Sequence, residues 1–324
     1  FFLAQRGERA YGIFFDNTFE TFFDMGRENS RYYYFGARDG ELDYYFLYGP
    51  SLREVVGGYT SLTGRTPLPQ IWALGYQQCR YSYAPRERFL EIAGEFRRRG
   101  IPCDVLYLDI DYMDGYRVFT SDPKRFAGFG QMIRSLRERG FKVVTIIDPG
   151  VKKEAGYAVY DEGLKNGYFL TDSDGLPYVN AVWAGDSLFP DFSDPKVRAW
   201  WAGKQKFLIE NGVAGVWNDM NEPASFYGPL PDDIRFCNDG HPAVHAQMHN
   251  VYGHLMAKAA HQGWKSTGRR PFVITRACYA GTQKYATIWT GDNQSLWEHL
   301  RMSLPQLMNI GLSGFGYAGG DVGG

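Results

Sequence analysis

Hydrophobic and polar positions change rhythm near residue 70. Before it, the short aromatic and β-branched runs AYGIFFDNTFETFFDMG, RYYYFGAR and LDYYFLYG are separated by Asp-Asn, Gly-Arg and Asp-Gly turn signals. This pattern predicts strands, too few for a complete sandwich. Residues 1–66 are therefore expected to be the C-terminal part of a β-sandwich domain. The Gly and prolines of TGRTPLPQ then mark a boundary.

From Trp72 onwards the chain alternates. WALGYQQ leads into a helical stretch at 86–99, where Phe89, Ile92 and Phe96 recur at helical spacing. The continuous apolar run CDVLYLDID (103–111) reads as a buried parallel strand. A helix near 126–139 and the strand KVVTIID (142–148) follow. After a long insertion, Asp194 can cap a helix with Pro195 at its first position and Gly212 past its end. The strands VAGVWND, PFVITR and ATIWTGD alternate with helices near 243–262 and 295–308, where Pro305 should introduce a kink. LSGFGYAGGD closes the series.

Seven strand candidates between 72 and 321 predict an α/β fold, a (β/α)8 TIM barrel over 67–324 that stops before strand 8. An open doubly wound sheet would show a Gly-rich phosphate turn after its first strand, and GYQQCRYSY is not one. Charged residues gather at the C-terminal ends of the strands: Asp109, Asp111, Asp148, Asp219, Arg276, Asp292 and Asp321. That end of a barrel carries its active site.

Composition removes other classes. With 35 basic against 36 acidic residues, the net charge of −1 argues against a nucleic-acid partner. No apolar run approaches the roughly 18 residues of a membrane helix. The four scattered cysteines form no CxxC pair, which argues against a zinc ribbon and fits a reducing cytoplasm. A homo-oligomer is left open. The first residue is Phe, so the chain is expected to be part of a longer protein.

A ring of acids suits either metal-assisted or paired-carboxylate catalysis. His241, His245 and His249 stand at i, i+4 and i+8 and would share one helix face, but no HExxH accompanies them. Core or surface histidines explain them better, and no metal or cofactor is expected. Aromatics flank the acids: Tyr81, Tyr107, Trp183, Phe189, Trp217, Phe226 and Trp289. Flat apolar rings beside carboxylates suit a sugar, whose ring stacks while its hydroxyls bond the acids.

Six segments, in order, resemble the glycoside hydrolase family 31 α-glucosidases. They are LDIDYMDGYRVFT (108–120), VWAGDSLFPDF (182–192), GVWNDMNEP (215–223), VITR (273–276), WTGDN (289–293) and GLSGFGYAGGDVGG (311–324). The resemblance implies a retaining, exo-acting α-glucosidase that takes terminal glucose from oligosaccharides or α-glucosides. Asp219 would be the nucleophile and Asp292 the general acid/base. Asp109 would hold a hydroxyl of the −1 glucose, and Arg276 would sit beside the acid/base and the sugar. Tyr81, Ile110, Ile146, Trp183, Trp217 and Met220 would line the pocket, supported by Glu222, Asp148 and Asp321. Spacing alone does not choose between Asp219 and Glu222.

The roles set physical requirements. The nucleophile must be ionised, which Arg276 would favour at Asp219; the acid must keep its proton, which desolvation between Gly291 and Trp289 would favour at Asp292. Ala184 and Ala277 depart from the usual Pro and Ser of the family and would tune the pocket. The family's barrel continues past GGDVGG to a sugar-binding Arg and His, so a larger enzyme is expected. Alternatives are an α-xylosidase or α-glucosyltransferase of the same family. From another class, a noncatalytic sugar-binding or scaffold subunit would need neither Asp219 nor Asp292.

Overall fold

The structure is a computed structural model and describes residues 1–322. Gly323 and Gly324, the last two residues of the segment 311–324, lie outside the described residues.

At the N-terminus, Phe2–Arg6, Arg9–Phe15 and Tyr44–Gly49 form an antiparallel sheet. Thr21–Asp24 and Tyr34–Ala37 form a separate hairpin. The strand reading of this region misses one element, a helix at Leu52–Thr63. It starts on a capping box: the Ser51 hydroxyl accepts from the Glu54 amide, and the Glu54 carboxylate accepts from the Ser51 amide. The helix buries Val55 and Tyr59 against the sheet. Tyr59 meets Phe14 edge-on at 5.4 Å and stacks on Phe1 at 3.9 Å. Gly12 allows this approach, since a Cβ there would lie 2.8 Å from Val55 Cγ1.

Seven parallel strands follow in chain order: β1 (Gln77–Gln78), β2 (Val105–Leu108), β3 (Lys142–Ile147), β4 (Gly215–Asn218), β5 (Val273–Thr275), β6 (Thr287–Trp289) and β7 (Ala318–Gly319). Each pairs with its sequence neighbour, as in the wall of a (β/α)8 barrel. β1 and β7 are the two edges, and side chains tie them together. Tyr317 donates its hydroxyl to the Ala73 carbonyl and accepts from Gln77 Nε2 at 3.0 Å. Gln77 in turn accepts from the Tyr107 hydroxyl at 2.6 Å.

Val105, Tyr107, Val144, Trp217, Phe272 and Ile274 pack inside the wall. The outer faces of the strands meet the helices in a larger apolar layer. Asp194 caps Pro195–Lys204 by accepting from the Lys196 amide at 2.7 Å. This helix wedges Trp201, fully buried, edge-on against Phe119 and Phe192. It does not reach Gly212 as one piece. The chain breaks at the buried Gln205, which accepts from Trp264 Nε1, and a second helix spans Lys206–Glu210. The helix Trp297–Leu312 runs through Pro305 and buries none of its side chains.

The insertion between β3 and β4 folds into a small antiparallel sheet whose tightest hairpin joins Val179–Val182 to Gly185–Leu188. Trp183 and Ala184 are its two turn residues, and Gly185 follows with φ +82°.

Candidate active site

Side chains alternate across a strand, so residues two apart face the same side. Tyr107 and Trp217 point into the barrel; two residues on stand Asp109 and Asp219, at the C-terminal ends of β2 and β4. On β3 and β5 the same step leads from Ile146 to Asp148 and from Ile274 to Arg276. The register pairs Asn218 with Ile147 on one side and with Thr275 on the other. One residue further, Asp219 comes level with Asp148 and Arg276. The rim of acids is therefore a product of period-two alternation carried one step beyond an apolar layer.

Arg276 is the cation of this wall. Its Nε and Nη2 donate to the two Glu222 oxygens at 2.8 and 2.9 Å, a bidentate pair. Its Nη1 lies 3.1 Å from Asp219 Oδ1, within ion-pair reach but without hydrogen-bond geometry. The expectation that Arg276 holds Asp219 firmly ionised needs correction. Burial outweighs the guanidinium, which faces mainly Glu222, and pushes Asp219 up to about 6. Asp109 is also pushed up to about 6, by burial and the neighbouring Asp219, although its Oδ1 accepts from the Ile110 amide at 2.7 Å. Burial drives Asp148 well above the usual carboxylate range, and Asp219 and Asp109 add to the shift.

Asp292 differs. It lies on the exposed loop after β6, so the expected desolvation between Gly291 and Trp289 is not found. The loop is tied to β7 by Thr290, whose amide donates to the Gly319 carbonyl at 3.1 Å, and Asn293 Nδ2 donates to the Asp321 carbonyl. No described residue covers the Asp292 side chain enough to bury it. Its charge still reaches Asp219, Asp109 and Asp321, since each is raised in part by it. Asp321 is exposed on the neighbouring edge.

Of the aromatics, Trp217 is the hub of the floor, edge-on to Tyr107 at 6.0 Å and to Trp289 at 5.6 Å. Ile110 and Ile146 are buried, each 2% exposed, and Ile146 pairs with Trp217 in the strand register. Trp183 stands 45% exposed at its hairpin turn, stacked with Tyr81 at 6.3 Å and edge-on to Phe226 at 5.0 Å. These three rings form an open apolar ledge. Phe189 does not belong to it: it is fully buried against Tyr178 in the core.

The three histidines do not share a helix face. The helix begins at His245, and His241 precedes it in an irregular turn. His245 is buried, stacked on Phe236 at 6.0 Å, and meets His249 at 3.3 Å between ring nitrogens. Burial lowers His245 to about 4, which suits a neutral core ring. Among the described residues no cluster of three His, Cys, Asp or Glu could hold a metal ion.

Two residues that the sequence did not suggest set the loop after β4. Asn221 is fully buried; its Nδ2 donates to Thr275 Oγ1 at 2.9 Å, and its Oδ1 accepts from the Ala277 amide at 3.1 Å. This clamp fastens the loop to β5 around Met220, whose φ of +53° is unusual for a bulky residue. Met220 Sδ comes within 3.4 Å of Arg276 Nη2. The signal available was the polar Asn between two apolar strands' ends, which a loop assignment explains equally well.

A cavity of about 450 Å³ opens at the other end of the barrel. Phe272, Tyr285, Tyr317 and Lys265 line it, and it contains no acid. It is no part of the acidic site.

The model of the glycosyl hydrolases family 31 TIM-barrel domain matches residues 66–324. "Alpha-glucosidase 2" of Bacillus thermoamyloliquefaciens is 49% identical over 100% of this chain and 42% of its own length. A solved glucosidase II alpha subunit, in an alpha3-Glc2-bound form, superposes with a TM-score of 0.92 at 33% identity, covering 99% of this chain and 37% of that one. A family 31 dextranase of Flavobacterium johnsoniae, complexed with glucose, gives 0.91 at 32% identity over 98% and 40%. The chain thus spans about two fifths of the length of these relatives.

Proposed function

The chain belongs to glycosyl hydrolase family 31, and from that premise we propose that it carries the catalytic site of a retaining α-glucosidase. Residues 1–66 and 67–324 are its two units, a β-domain end and the catalytic barrel. The substrate is the terminal non-reducing α-linked glucose of an oligosaccharide.

The observation that carries this reading is the convergence of Asp109, Asp219 and Arg276 on one barrel rim, with the charge of Asp292 reaching both acids. Asp219, held by Arg276 Nη1 and a clamped loop, is the nucleophile. Its carboxylate bonds the anomeric carbon as the glycosidic C–O bond breaks, and Asp292 delivers a proton to the departing oxygen. In the second step Asp292 takes a proton from water, whose oxygen displaces Asp219. An exposed Asp292 can exchange that proton with solvent once the leaving sugar has gone. Asp109 accepts hydroxyl hydrogens of the bound glucose, and the Tyr81–Trp183–Phe226 ledge stacks on the sugar that follows it.

The test is Asp219→Ala on an aryl α-glucoside. A loss of at least about 10³-fold in kcat is expected, since removing a nucleophile leaves only binding and electrostatic stabilisation. Turnover near that of the parent protein overturns the assignment. Maltose, isomaltose and an aryl α-xyloside, compared as substrates, then define linkage and sugar.

A further inference from the structure

Asp148 takes no part in the chemistry above, yet it is the most enclosed acid of the site. It stands at the C-terminal end of β3, 4% exposed, and its Oδ1 is buried with no hydrogen-bond partner. The β3–β4 register sets it level with Asp219 on the adjacent strand. The charged groups that act on it are Asp219 and Glu222 from β4 and its loop, Asp109 from β2, and Arg276 from β5.

That set holds four carboxyls and one guanidinium, a net charge of −3 if all ionise. Like charges that act on one another at a largely buried rim do not all ionise; the proton settles on the acid with the fewest stabilising partners. Glu222 has the Arg276 fork, Asp109 has the Ile110 amide, and Asp219 has Arg276 Nη1 and the Met220 amide. Asp148 has no such bond or ion pair: its Oδ1 is unpartnered and Arg276 acts on it only through its charge.

We propose that Asp148 is a positioning residue: a carboxyl that stays neutral beside Asp219, so that Asp219 is the acid of this wall that ionises for attack. The inference rests on the reading of Asp219 as nucleophile, but its central claim, a carboxyl that keeps its proton, can be checked without turnover. A charged Asp148 would raise the Asp219 pKa further and add another anion beside Asp109 and Asp219. A neutral one leaves Asp219 freer to ionise and supplies a polar group that can donate.

The experiment pairs infrared titration of carboxyl groups with the pH profile of Asp148→Asn, which keeps shape and neutrality. One protonated carboxyl is expected to persist in the parent protein at about pH 8, where Asp109 and Asp219 have ionised, and to vanish in the Asn variant. In Asp148→Asn the acid limb of kcat/KM should keep its position, and kcat should fall less than in Asp148→Glu. Asp148→Glu, which pushes a longer acid towards Asp219, should lose more than tenfold. The proposal is overturned if no protonated carboxyl remains at that pH. It is also overturned if the Asn variant shifts its acid limb downward by about one unit, the mark of a lost neighbouring charge. Should the Asp148→Asn substitution prevent folding, the titration of the parent protein decides alone. An active Asp219→Ala would instead remove the nucleophile assignment while leaving the protonated carboxyl in place, so the two failures are distinct.

Discussion

Arg276 spends its planar fork on Glu222, at 2.8 and 2.9 Å, and touches Asp219 only through Nη1 at 3.1 Å. Glu222 therefore governs how much of the guanidinium charge Asp219 receives. It also adds a negative charge of its own to the wall.

Glu222→Gln should release part of that charge. Burial pushes Asp219, the proposed nucleophile, up to about 6, so kcat/KM is expected to fall below about pH 6 as it protonates. With Glu222 neutral, the acid limb should move to lower pH by about one unit, since an opposite charge nearby favours the ionised form. The maximal rate should drop about tenfold as Arg276 loses its anchor. A pH–rate profile on an aryl α-glucoside measures both; a limb that stays in place contradicts the electrostatic account.

Asp109→Asn should stabilise the fold at neutral pH while costing activity. Asp109 has its pKa raised by burial from 3.8 to about 6. A raised acid binds protons more readily when folded, so stability is fullest below about pH 4 and is lost as pH rises through about 6. Removing the charge should recover on the order of 2 kcal/mol at pH 7 and almost nothing at pH 4. The Asn oxygen still caps Ile110–Tyr112 by accepting from the Ile110 amide. Urea unfolding at both pH values, together with a loss of at least about 10²-fold in kcat/KM, checks the pair of effects. Equal stabilisation at both pH values would point to packing rather than charge.

Trp183→Ala should act on binding rather than on stability. Trp183 is 45% exposed at a hairpin turn, and its ring meets Tyr81 and Phe226 along the ledge. A lost stacking face corresponds to roughly 1–1.5 kcal/mol, or about tenfold in KM for a disaccharide. The unfolding midpoint should barely change, as for other surface substitutions. A collapse of stability with unaltered KM would place Trp183 in the core instead.

How much of this was legible depended on the distance between cause and signal. The barrel strands were visible because β2, β3 and β4 are continuous apolar runs bounded by acids. β1 is only Gln77–Gln78, and it was placed by the rhythm around it. The helix at 52–63 was lost among aromatic strands because its Gly57-Gly58 pair weakens the periodicity. Yet the Ser51–Glu54 box marked its start. Asp219, Asp292 and Asp109 stand at strand ends and are visible from spacing, while the roles proposed for them rest on motif resemblance. The Asn221–Thr275 clamp joins residues 54 apart, and no local pattern announces it. The exposure of Asp292 was invisible for a different reason: burial depends on which neighbours cover a loop, not on the loop's own letters.

The alternation that lifts Asp109, Asp148, Asp219 and Arg276 above an apolar layer also makes the rim brittle to changes in chain length. One residue added between Trp217 and Asp219 would turn the Asp219 carboxylate towards the helices, whatever its neighbours. The hairpin bearing Trp183 obeys no such count, because it stands outside the barrel ladder. A change of length in that hairpin therefore leaves Asp109, Asp148, Asp219 and Arg276 in register, so the reach of the ledge and the spacing of the rim can vary independently.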